Sequence, residues 1–74
     1  MTKSRNQEYL KAFGDHVRLL RKSKGLSMTE LANLCEIEYR QVSDIELGKI
    51  NTTLSTIKLL ATALQMEPKE LLDF

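Results

Sequence analysis

Between Glu38 and Glu46 the chain reads Glu-Tyr-Arg-Gln-Val-Ser-Asp-Ile-Glu. A phenol, a guanidinium and a carboxamide open the stretch, and a hydroxyl and two carboxylates follow, so it is rich in groups that donate and accept hydrogen bonds. Only Val42 and Ile45 are clearly apolar, whereas a helix that merely packs would show a third or fourth apolar residue on its inward face. The pattern suggests a reading surface, although Asp44 and Glu46 argue against a simple electrostatic grip on an anion. Catalysis has no comparable candidate. With one histidine, His16, one cysteine, Cys35, and no convergent acid pair, no nucleophile, base or metal-ligand constellation emerges. No enzyme, cofactor or metal is expected, and His16 reads as a surface residue of the first helix.

The chain that must position this stretch has 74 residues, 42% hydrophobic and 28% charged, which suits one small helical domain and leaves no room for a second module. Cys35 alone cannot close an internal disulfide or build a zinc cluster, so the fold must rest on its core, and a reducing cytoplasm is the expected home. No leader pattern precedes the domain and no apolar run approaches the roughly 18 residues of a membrane span. The net charge of +1 conceals a division. Residues 1–25 hold seven basic residues against two acidic, a balance of +5, and the remainder four against eight, a balance of −4. Such polarity can turn one positive face toward an anionic partner, or can simply be a mixed solvated surface.

Residues 1–6 lack an apolar pattern and read as a flexible tail, with Lys3 and Arg5 as a possible basic arm; residues 7–74 form the domain. From Gln7 to Lys24, Leu10, Phe13, Val17 and Leu20 recur at helical spacing and the helix stops at Gly25. Ser27 and Glu30 form a capping box for a second helix that buries Leu31, Ala32 and Cys35. After Glu36 and Ile37 the polar stretch forms a third helix ending at Gly48. Lys49 to Thr53 is a loop with capping residues. Leu54, Ile57, Leu60, Ala61 and Leu64 mark a fourth helix, and Pro68 opens a fifth in which Leu71 and Leu72 pack inward. The fold class is all-α with five helices.

Two short helices joined by about three residues match the helix-turn-helix unit, which sets its second helix in the DNA major groove, though short helix pairs are also common as plain structure. The residues themselves resemble a family. Leu31-Ala32, Ile37 and Val42-Ser43-Asp44-Ile45-Glu46-Leu47-Gly48-Lys49 are similar to the pattern of the lambda-repressor-like helix-turn-helix proteins (Cro and phage repressors, XRE type). The resemblance runs from Phe13 to Leu72 and implies a five-helix DNA-binding domain.

The same resemblance distributes roles. Arg21 and Glu46 would form a structural ion pair. Tyr39, Arg40, Gln41 and Asp44 fall where relatives contact bases. A guanidinium suits guanine O6 and N7, a carboxamide suits adenine, and Tyr39 could pack on a thymine methyl or bond a phosphate. Asp44 either accepts from cytosine N4 or orients Arg40, and the two also suit an ordinary surface ion pair. Phosphate contacts are expected from Lys22, Lys24, Met28, Thr29, Ser43, Lys49, Asn51 and Thr53, with the N–H groups of Met28 and Thr29 free at a helix start. Three residues depart from the family: Glu36 stands for a frequent glycine, Met28 for glutamine, and Thr52 for proline. The turn at Glu36 therefore either avoids a left-handed backbone or carries its cost, about 1 kcal/mol.

By resemblance the partner is double-stranded DNA with a palindromic operator, bound by a homodimer with Leu59, Leu72 and Phe74 at its interface. The implied function is sequence-specific transcriptional regulation, most readily repression by operator occupancy. The alternative is an antitoxin or other protein-interaction module with a cognate partner such as a toxin. No membrane partner is expected.

Overall fold

The structure is a computed structural model that describes residues 3–74, with side chains from residue 6 onward. Five helices follow in order: α1 Lys3–Ser23, α2 Met28–Cys35, α3 Tyr39–Glu46, α4 Leu54–Ala63 and α5 Pro68–Leu71. No strand occurs among the described residues, and no helix there is long and apolar enough to cross a membrane.

α1 starts earlier than its apolar repeat. Residues 3–6, expected as tail, form its first turn, because extending an existing helix gains one hydrogen bond per residue without a new nucleation cost. Met1 and Thr2 of that expected tail, and the side chains of Lys3 and Arg5, lie outside the described residues.

The core takes Phe13 and Val17 from α1, Leu31, Ala32 and Cys35 from α2, Val42 and Ile45 from α3, Leu60, Ala61 and Leu64 around α4, and Leu71 from α5. α3 lies against both α1 and α2, while α4 packs on α2 and α5. Two expected core residues point outward. Leu54 is 79% exposed because the buried stripe of α4 is phased on Thr56 and Leu60, and a residue two places before Thr56 lies about 200° round the helix from it. Leu72 is exposed because α5 is a single turn, ends at Leu71 and turns only that side chain inward.

The crossing of α1 and α3 is close enough to demand glycine. A Cβ at Gly14 would run into the carbonyls of Ile45 and Glu46, the latter at 2.6 Å. One at Gly48, whose φ is +73°, would meet the Lys11 Cα at 2.7 Å. A glycine inside α1 costs about 1 kcal/mol of helix propensity, and here the backbone contact requires it. Cys35 is buried with its Sγ 3.7 Å from the Leu59 carbonyl. Burial pushes its thiol pKa up, which keeps it protonated and inert.

Candidate nucleic-acid interface

α2 and α3 are set by their ends. The Ser27 Oγ accepts from the Glu30 N–H at 3.0 Å while the Ser27 N–H donates to Glu30 Oε1 at 2.8 Å. The Leu31 N–H then bonds the Ser27 carbonyl. The N–H groups of Met28 and Thr29 are left pointing out of the first turn, the partial positive end of a helix dipole. At the other end Glu36 is left-handed, φ 58° and ψ 41°. The turn accepts the strained backbone rather than avoiding it. The Ile37 N–H returns to the Ala32 carbonyl at 3.0 Å, closing the end of α2 and aiming the chain into α3.

α3 has two faces. Its inward face carries Val42, Ile45 and Glu46, all buried. Glu46 is held in a fork: Arg21 Nε donates to Oε2 at 2.6 Å and Nη2 to Oε1 at 3.0 Å, while Nη1 donates to the Leu26 carbonyl at 2.8 Å. The hydrogen bonds that Arg21 donates to Glu46 raise its pKa against the desolvation that would lower it. The pair expected from the family pattern is therefore formed, buried and satisfied.

The outward edge carries the expected base contacts. Tyr39 and Arg40 are exposed, and Gln41 and Asp44 are half-buried. Arg40 Nε and Asp44 Oδ2 stand 3.6 Å apart with the arginine side chain 85% exposed, an ion pair too long for a hydrogen bond. Five donors of Arg40 thus stay available.

The expected phosphate contacts divide between two clefts and some outliers. One cleft brings Lys22, Met28 and Ser43 together on the flank of α3, with Lys11, Asp15 and Arg18 on its α1 wall. The other holds Lys49 beside Gln7, Lys11 and Gly48. Lys24 and Thr29 are exposed outside both. The Thr53 hydroxyl caps α4, accepting from the Thr56 N–H at 3.2 Å and lying 3.0 Å from the Thr56 Oγ1, so its side chain is already committed. Asn51, exposed, lines a small apolar cleft with Tyr9, Phe13, Ile57 and Leu72. Thr52 lines it too, and its buried hydroxyl has no hydrogen-bond partner among the described residues. Arg18 and Lys11 are not singled out by the sequence pattern. The signal for them is the spacing of residues 11, 18 and 22 on one face of α1.

The expected dimer residues Leu59, Leu72 and Phe74 are all exposed. Leu59 lies on α4 where its carbonyl meets Cys35 of α2. Phe74, 43% exposed, packs its ring 5.1 Å from Tyr9 and 5.8 Å from both Phe13 and His16, so it docks the C-terminus on α1. His16 is half-buried rather than fully surface-exposed, because its Nε2–H reaches the Glu70 carbonyl at 3.2 Å.

Known proteins share this arrangement. The model of the helix-turn-helix family matches residues 17–71. The chain is 43% identical over 63 residues to the control protein C.BamHI of Bacillus amyloliquefaciens, covering 84% of this chain and 78% of that one. Its structure is similar to the restriction-modification controller protein C.AhdI of Aeromonas hydrophila, with a TM-score of 0.81 and 44% identity over 86% of this chain and 96% of the other. It is also similar to a hypothetical transcription factor, NHTF, from Neisseria, with a TM-score of 0.81, 36% identity, and coverage of 89% and 75%.

Proposed function

The chain belongs to the XRE-type helix-turn-helix family of DNA-binding transcription regulators, and from that premise we propose how it reads and controls its DNA. α3 enters the major groove with Tyr39, Arg40, Gln41 and Asp44 toward base edges. Phosphates are held on one side by Lys22, Lys24, Ser43 and the N–H groups of Met28 and Thr29, and on the other by Lys49, Asn51 and the Thr53 backbone. The observation that carries this reading is the division of α3: Glu46 is consumed by Arg21 inside the protein, so the outer edge presents Arg40 without that acid beside it.

A homodimer, with Leu59, Leu72 and Phe74 on its contact surface, would place two copies of α3 about 34 Å apart on a palindromic operator. The likeness to the restriction-modification controller C.AhdI and to the control protein C.BamHI supports a role, in the cytoplasm, in setting the expression of restriction-modification genes by operator occupancy. No finding favours a toxin partner.

Selection of bound duplexes from random DNA by the purified protein tests the reading. A palindromic consensus is expected, with Arg40→Ala loosening one base-pair position per half-site. Recovery of unenriched sequence would overturn it.

A further inference from the structure

The cleft between α1 and the flank of α3 has a charge arrangement of which the reading above uses Lys22, Met28 and Ser43 but not Lys11, Asp15 or Arg18. Its α1 wall presents Lys11, Asp15, Arg18 and Lys22, spaced by four, three and four residues and so on a single helix face. Asp15 is taken up by Lys11, whose Nζ lies 2.5 Å from Oδ1, with both side chains more than half exposed at 55% and 58%. Arg18 and Lys22 are exposed and have no acidic partner within ion-pair distance among the described residues. Glu46, the cleft's other acid, is spent on buried Arg21. Two cations are thus left uncompensated, opposite the Ser43 hydroxyl and the start of α2, and a third is held in check by one carboxylate.

Resting on the placement of α3 in the major groove, we propose that this face of α1 is a backbone-binding surface in which Arg18 and Lys22 hold phosphates while Asp15 withholds Lys11 from them. The occupant is duplex DNA. Ser43 belongs to α3 itself, so a duplex that seats the outer edge of α3 brings a sugar-phosphate strand along this flank. Two free cations and a hydroxyl complement consecutive phosphates there. Phosphate contacts carry no sequence information, so Asp15 sets affinity on every sequence alike and leaves the choice of operator untouched. Its removal would free Lys11 to release a further counterion.

The test measures binding to a duplex selected from random DNA and to a random-sequence duplex of equal length, over a series of salt concentrations. Arg18→Gln is expected to weaken both duplexes several-fold and to lower the slope of log K against log salt by about 0.9, one phosphate contact. Asp15→Asn is expected to tighten both and to steepen the slope, and to do neither in a Lys11→Gln background. These residues are exposed, and unfolding curves matching the unmodified protein verify that the variants fold. If the unmodified protein binds the selected duplex but Arg18→Gln and Asp15→Asn keep its slope, the surface is refuted while the α3 reading stands. An Asp15→Asn gain that persists without Lys11 would overturn the withholding role. Failure of the unmodified protein to prefer the selected duplex would refute the α3 reading and this proposal with it.

Discussion

Two arginine–carboxylate pairs involve α3, and they differ in almost everything except their chemistry. Arg21 and Glu46 meet in a fork at 2.6 and 3.0 Å with side chains 8% and 5% exposed. Arg40 and Asp44 stand 3.6 Å apart with the arginine 85% exposed. In the first pair both charges have left water, so each depends on the other and on the Leu26 carbonyl to offset the desolvation cost. In the second, solvent screens the attraction and the arginine gives up little by turning to another acceptor. Burial and direct hydrogen bonding together therefore decide which arginine is a fixture and which is free to bind. One helix can be anchored by a carboxylate on one side and read DNA from the other.

The comparison breaks most visibly at Glu46. Glu46→Ala leaves the Arg21 guanidinium buried without its partner, and the expected loss is about 3 to 5 kcal/mol of folding stability. For a domain this small that approaches the whole margin. Urea unfolding measures it, and a loss within 0.5 kcal/mol, the usual range at exposed sites, would show that the two pairs are alike after all. Replacing both members with Arg21→Met and Glu46→Leu should recover much of the loss, because no uncompensated charge then remains.

Arg40→Ala should behave in the opposite way. Stability should stay within about 0.5 kcal/mol, while discrimination at one base pair falls by about 1 to 3 kcal/mol. Competition binding with single-position variants of the selected duplex checks it. Equal losses on selected and random DNA would move Arg40 from the reading edge to the backbone contacts.

This division was partly legible in the sequence. The capping box at Ser27 and the apolar repeats located the helices, because local hydrogen bonding and helical period are properties of neighbouring residues, whereas the pairing of Arg21 with Glu46, 25 residues apart, came only from the family-like run through Lys49. What spacing could not report was tertiary approach. Gly14 sits in the middle of α1 with no local reason for being glycine, and only the carbonyls of Ile45 and Glu46 against it supply one. Leu54 fits the apolar repeat and still faces solvent, since nothing in a period says which face the neighbouring helices cover. Thr53, read as both a cap and a phosphate contact, has its hydroxyl spent on the cap. Arg18 escaped notice for a related reason: a basic residue on a solvated helix looks the same whether or not its face lines a cleft.

The smallest expected effect separates the two roles open to Asp44. An exposed i, i+4 pair is worth about 0.3 to 0.5 kcal/mol, so Asp44→Asn should barely change unfolding and must be read through DNA. If Asp44 accepts from cytosine N4, the substitution relaxes preference at a base pair of its own and leaves the one read by Arg40 intact, since the asparagine amide presents a different donor and acceptor pattern. If Asp44 serves only to aim Arg40, no new position relaxes and the Arg40 position weakens partway toward its Arg40→Ala value. A double substitution decides between them. Independent losses place Asp44 on a base, whereas an Asp44→Asn effect that vanishes once Arg40 is alanine makes it a positioning residue. Only the second result makes the exposed pair a functional unit, as the buried pair is a structural one.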